Sequence, residues 1–168
     1  MKVKMVATSV VALVAVGLWG CAPEKMDAAG TDNSPARSLA DVPATADATD
    51  PLATGRRVPD VTVKDMDGES VNLAELVRQK PTILIFYRGG WCPYCNKHLA
   101  ELARVEPRLV EMGYQVVALS ADRPEKARET QGEFGYDYRL LSDHEMRAAR
   151  AFGIAFRVDE ETIERYEG

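Results

Sequence analysis

Residues 82–87 read Thr-Ile-Leu-Ile-Phe-Tyr, and four residues further on the chain reads Cys92-Pro93-Tyr94-Cys95. A continuous β-branched and aromatic run is the pattern of a strand buried on both faces of a parallel sheet. Gly89-Gly90 breaks that run. Pro93 suits the first position of a helix, where its missing N–H costs nothing. Leu99, Leu102, Ala103, Leu109 and Val110 then give the helix an apolar face out to about Met112. Pro107 is expected to kink it and Gly113 to stop it. A strand that feeds a helix through a C-x-x-C leaves few folds open, and they belong to the α/β class.

The flanking sequence extends the same pattern. Val61-Thr62-Val63 and Val71-Asn72-Leu73 alternate apolar and polar around Asp67-Gly68, which is a hairpin signal. Ala74 to Gln79 predicts a short helix ended near Pro81. Tyr114 to Ser120 predicts a second core strand, Pro124 the first turn of another helix, and Tyr138 to Leu141 a third strand. Ser142 or Asp143 is expected to cap a helix through about Phe152. Strands alternating with helices imply βαβ units and a mostly parallel, right-handed sheet. The chain then closes on a polar segment, Asp159 to Gly168.

The chemistry lies at Cys92 and Cys95. Cys92 is the expected N-cap and Pro93 the first helical residue, so unpaired N–H groups and the positive end of the helix dipole favour a thiolate there. Such placement lowers a cysteine pKa from about 8.5 into the range ~3.5–7.5. Cys92 is therefore read as a solvent-facing nucleophile, with Gly89-Gly90 leaving room for a substrate and Trp91 shielding one side. Cys95, a turn inward and expected to be more buried, is read as the resolving cysteine that closes a disulfide. Three other readings fit less well. A purely structural disulfide across two residues is unusual, and a zinc site would need more ligands than His98 supplies. Haem attachment needs His after the second cysteine, where Asn96 stands. His98 and His144 are read as surface or capping residues.

The remaining cysteine, Cys21, follows a different logic. Lys2 and Lys4 precede an apolar run from Met5 to Trp19, the pattern of a signal peptide over residues 1–21. Its end, Leu18-Trp19-Gly20-Cys21, resembles a bacterial lipobox, which implies a lipid on Cys21 and a place in the cell envelope. Residues 22–56 hold Pro23, Pro35, Pro43 and Pro51, many alanines and no aromatic residue. Such a stretch buries too little to offset its chain entropy, and it is read as a disordered tether. Residues 57–168 are left for one domain. A net charge of −5 carries no basic stripe and argues against nucleic acid as a partner.

Phe86 to Cys95 resembles the active-site segment of the peroxiredoxin-like (AhpC/TSA) family of the thioredoxin superfamily. The Asp67-Gly68 hairpin, the Val116–Ser120 strand and the Ser142-Asp143 turn fall in that family's order. The resemblance implies a thioredoxin-like α/β fold in which Cys92 holds the place of the attacking cysteine. Two departures stand out. Where peroxiredoxins usually carry Pro and Thr or Ser, seven and three residues before that cysteine, this chain has Ile85 and Gly89. An arginine, Arg88, Arg147 or Arg150, would then have to help hold a peroxide. Nor does any proline after Cys95 suit the cis-proline position, since Pro107 and Pro124 sit in helices. The resemblance thus implies a domain without its C-terminal hairpin and last helix, which would leave a marginal, aggregation-prone protein or one completed by a partner.

The expected function is thiol-dependent peroxide reduction without metal or organic cofactor, regenerated by an external thioredoxin-like thiol. A tethered oxidoreductase acting on protein disulfides is the alternative, followed by an inactive truncated member. A copper-binding assembly factor using the two thiolates fits the cysteine spacing poorly.

Overall fold

The computed structural model describes residues 41–167. The expected signal peptide, Cys21 and the first part of the expected tether lie outside them. Alternation around Asp67-Gly68 produces the hairpin: β1 (Thr62–Lys64) and β2 (Ser70–Asn72) pair antiparallel with Val63 opposite Val71. Asp65 Oδ1 accepts the N–H groups of Asp67 and Glu69 across the turn, each at 2.9 Å. Gly68 there takes φ +81°, which a side chain would disfavour. Asn72 then caps α1 (Leu73–Gln79) by accepting the Glu75 N–H at 2.9 Å.

Two crossovers follow. β3 (Thr82–Phe86) leads through α2 (Pro93–Glu111) to β4 (Gln115–Ser120), and α3 (Pro124–Phe134) leads on to β5 (Arg139–Ser142). These three strands are parallel, and the five-stranded order is β2-β1-β5-β4-β3, with β1 antiparallel to both neighbours. α4 (Arg147–Ala151) and α5 (Glu160–Glu167) complete the described chain.

Alternation along β4 divides the core between two faces. Val117 and Leu119 pack with Val61, Val63, Leu73, Leu76, Leu141 and Ala148. Val116 and Ala118 pack with Leu99, Tyr136, Tyr138 and Leu140 on the other face. A central parallel strand must be apolar on both sides, which is why β4 reads as a continuous run.

α2 is continuous through Pro107. Three expectations change. The Thr82–Phe86 run was expected inside the sheet; it is the edge strand, and all five residues are only half-buried. The last expected helix starts later, at Arg147, behind Met146 at φ 56°. Asp143 still serves it, accepting the N–H groups of Ala148 and Ala149 at 2.9 and 2.8 Å. Burial pushes the Asp143 carboxyl above the usual carboxylate range, and those two N–H groups pull it partway back. The polar C-terminal segment forms α5, begun by Asp159 accepting the Thr162 N–H at 2.7 Å.

Part of the expected tether is also seated on the domain. Pro43 O accepts the Arg157 N–H at 2.8 Å, and the Leu52 N–H donates to Phe152 O at 2.9 Å. Residues 46–48 make a 3-10 turn between these two anchor points. Among the described residues, no helix is long and apolar enough to cross a membrane.

Candidate active site

The carboxyl ends of β3 and β4 lie side by side, with Phe86 paired to Leu119. Ligand sites in open α/β sheets form at such strand ends. From β3 the chain passes through Arg88, Gly89, Gly90 and Trp91 into α2. Cys92 is the helix N-cap and Pro93 its first residue, as the sequence predicts. Cys92 and Cys95 form a disulfide with their α-carbons 5.2 Å apart. The Cys95 N–H donates to Cys92 Sγ at 3.3 Å, so the cap is a sulfur.

Exposure of the two sulfurs is the reverse of the expectation. Cys92 is 3% exposed, whereas Cys95 is half-buried and lines an open groove. The reason is helical spacing. Cys92, Asn96 and Leu99 follow i, i+4, i+7 and share the inward stripe of α2, and all three are buried. Cys95 lies about 60° round the helix from Cys92 at 3.6 residues per turn, on the flank of that stripe.

The groove has a volume of about 1410 Å3 and runs from Ile85 and Phe86, past Trp91, Tyr94 and Cys95, to Phe156 and Ile163. Ala44 to Ala46 of the seated N-terminal stretch contribute to its wall. Trp91 and Tyr94 are strongly exposed, and the Arg88 guanidinium lies 4.5 Å from the Trp91 ring centre. Spacing left three arginines open. Of these three, only Arg88 reaches the groove, which Arg157 also lines. Arg147 pairs with Glu145, and Arg150 donates to the Glu145 carbonyl at 2.8 Å. His98 lines the groove from the surface, and His144 Nδ1 lies 3.2 Å from Ser142 Oγ.

Three residues at the site carry no obvious mark in the sequence. Asp122, just beyond β4, accepts the Gly90 N–H at 2.7 Å through Oδ2 and the Ser120 hydroxyl at 3.2 Å. Asn96 donates from Nδ2 to Gly90 O at 2.7 Å. Thr130 of α3 stands against Gly90, where an added Cβ would come within 1.9 Å of Oγ1. The one available signal for Asp122 was its place at the carboxyl end of a parallel strand beside the cysteine loop. Tyr87, at the end of β3, has its phenol pushed up by burial.

Known proteins resemble this chain. The family model described as AhpC/TSA matches residues 54–166. Peroxiredoxin Bcp of Escherichia coli is 30% identical over 104 residues, 62% of this chain and 66% of that protein. Thiol-disulfide oxidoreductase ResA of Bacillus thuringiensis is 25% identical, over 61% of this chain and 59% of its own length. The crystal structure of peroxidoxin BcpB from Mycobacterium tuberculosis superposes with a TM-score of 0.56 at 29% identity, covering 60% of this chain and 65% of that one. The chain thus spans less than two thirds of the length of these relatives. Its α/β fold is thioredoxin-like, with a five-stranded mixed sheet. With its strand–dithiol–helix segment and this match over most of its length, the chain belongs to the AhpC/TSA family of peroxiredoxin-like thiol oxidoreductases.

Proposed function

We propose that this protein reduces peroxides through Cys92, with Cys95 as the resolving cysteine. The observation that supports this most directly is the disulfide itself, formed where Cys92 caps α2 and accepts the Cys95 N–H. That N–H and the helix dipole stabilise a Cys92 thiolate in the reduced protein. The thiolate attacks the peroxide oxygen, takes up one oxygen as a sulfenic acid and releases an alcohol or water. The Cys95 thiol then displaces water from that sulfenic acid, giving the Cys92–Cys95 disulfide. Two equivalents of an external thiol restore the dithiol and leave as a disulfide. Arg88, in the loop that leads to Cys92 and against Trp91, is a cation placed to steer a peroxide.

The test is peroxide consumption with a thiol donor, using intact protein, Cys92→Ser and Cys95→Ser. Both variants are expected to lose turnover, with sulfenic acid trapped only in Cys95→Ser. An intact protein that peroxide fails to oxidise excludes this reading.

The groove supports a second reading, exchange with protein disulfides. It is wide, bounded by exposed Trp91 and Tyr94, and Gly89 supplies no hydroxyl for a peroxide. In that case a mixed disulfide replaces the sulfenic acid, and a protein carrying scrambled disulfides is the substrate to assay. For either chemistry we place the domain in a bacterial envelope, held by a lipid on Cys21. Mass spectrometry of membrane fractions is expected to find an acylated Cys21, lost in Cys21→Ser.

A further inference from the structure

Gly90 fastens the loop that carries Cys92 on two sides. Gly90 donates its N–H to Asp122 Oδ2 at 2.7 Å, and its carbonyl accepts Asn96 Nδ2–H at the same distance. Thr130 closes the space where a side chain would be. Asn96 follows Cys95 directly on α2, so its bond to Gly90 joins the two arms of the disulfide, the loop arm and the helix arm. Asp122 ties the same loop to the end of β4, which is itself held by the Ser142 hydroxyl donating to Asp122 O at 2.5 Å.

We propose that Asp122 and Asn96 are positioning residues for the Cys92–Cys95 pair, gripping Gly90 so that the loop sulfur stays beside the helix sulfur when the disulfide opens. Neither side chain is bonded to sulfur. Each acts by removing freedom from the arm that bears Cys92. A tethered reaction gains from such restraint because the partner group is already held in place. The grip therefore raises the effective concentration of one thiol toward the other. Closing the disulfide from the dithiol then releases two electrons and two protons to the oxidant, and the loop has little left to order.

Asp122 could instead act by its charge, and two substitutions separate the two effects. Asp122→Asn keeps an oxygen to accept the Gly90 N–H but carries no charge, whereas Asp122→Ala offers neither. The experiment equilibrates each variant in glutathione redox buffers and measures the oxidised fraction of the pair by thiol alkylation and mass. Asp122→Ala is expected to lower the constant for disulfide formation about tenfold, ~30 mV for this two-electron couple, while Asp122→Asn stays within about threefold. Asn96→Leu, which keeps bulk without the donor, is expected to shift in the direction of Asp122→Ala. It carries the test if Asp122→Ala fails to fold.

An unchanged constant in Asp122→Ala or Asn96→Leu overturns the proposal. So does an Asp122→Asn shift as large as that of Asp122→Ala, which would assign the effect to charge. The inference rests on the pair cycling between disulfide and dithiol, as the proposed function does. A pair that does not titrate in the intact protein sinks both. Normal titration without peroxide turnover removes peroxide reduction alone and leaves the positioning role testable.

Discussion

Gly90 has no room for a side chain. A Cβ there would meet Thr130 Oγ1 at 1.9 Å and the Thr130 Cβ at 3.1 Å. Gly90→Ala is expected to destabilise the protein by about 1–3 kcal/mol, the range for forced overpacking. Trimming the obstacle in Gly90→Ala/Thr130→Ala should recover a large part of that loss, because neighbouring sites are not additive. Urea unfolding of the two variants and of Thr130→Ala measures the coupling. This requirement was invisible in the sequence, where Gly89-Gly90 reads as a strand breaker that leaves room for a substrate. The two cysteines were legible for the opposite reason: their chemistry depends on spacing within one turn. Which sulfur is accessible was not, because it depends on which face of α2 meets the sheet, and Asn96 on that face gave no apolar signal.

At the scale of elements, two polar devices set the joints. Asp143 holds the start of α4 through two N–H bonds, and Asp143→Ala is expected to cost about 1–2 kcal/mol, as for the loss of a strong cap. Loss of that cap should appear as faster amide exchange at Ala148 and Ala149. Tyr136 and Tyr138 stack at 5.3 Å and donate their hydroxyls to the Asn96 and Leu99 carbonyls at 3.0 and 2.9 Å. Burial pushes both phenols up, as it does that of Tyr87. The folded state therefore keeps these protons to a higher pH than the unfolded chain does. Stability should fall as pH climbs from about 10 through the folded values, with no such loss below that. Chemical denaturation across pH 8–12 would show it, and Tyr138→Phe should flatten the slope. Helix and strand positions were legible to within a residue or two wherever apolar periodicity was strong, as in α2 and β4. α4 shifted because its cap acts from a distance, and α5 escaped notice because its capping residue, Asp159, opens a polar run.

For the whole molecule, the open edge of the sheet matters most. The Tyr87 N–H donates to Leu119 O, and Pro81 O accepts the Gln115 N–H, both at 2.9 Å. By the alternation of a parallel ladder, Ile83, Ile85 and Tyr87 turn their backbone groups toward β4. Thr82, Leu84 and Phe86 turn theirs outward, and no described residue pairs with them. Amide exchange is expected to be slow at Ile83, Ile85 and Tyr87 and fast at Leu84 and Phe86. Protection of the second pair that rises with protein concentration would report edge-to-edge association, the hazard of an apolar edge strand. Uniform protection at all concentrations would show the edge to be covered. Strand order could not be read from the sequence, since β3 and β4 carry the same apolar pattern and differ only in what lies beside them.

The uneven exposure of the two sulfurs gives the disulfide a front and a back. A bulky thiolate arriving through the groove meets Cys95 and cannot reach Cys92 in the oxidised fold. The departing sulfur is then Cys92, which the Cys95 N–H stabilises as it takes up charge. A lower-pKa sulfur leaves faster. Reduction by a protein thiol should thus be one-directional, trapping the donor on Cys95 when the donor's own second cysteine is removed. Peptide mapping of that trapped adduct would locate the linkage, and a donor found on Cys92 would mean that the helix end opens before the bond is broken.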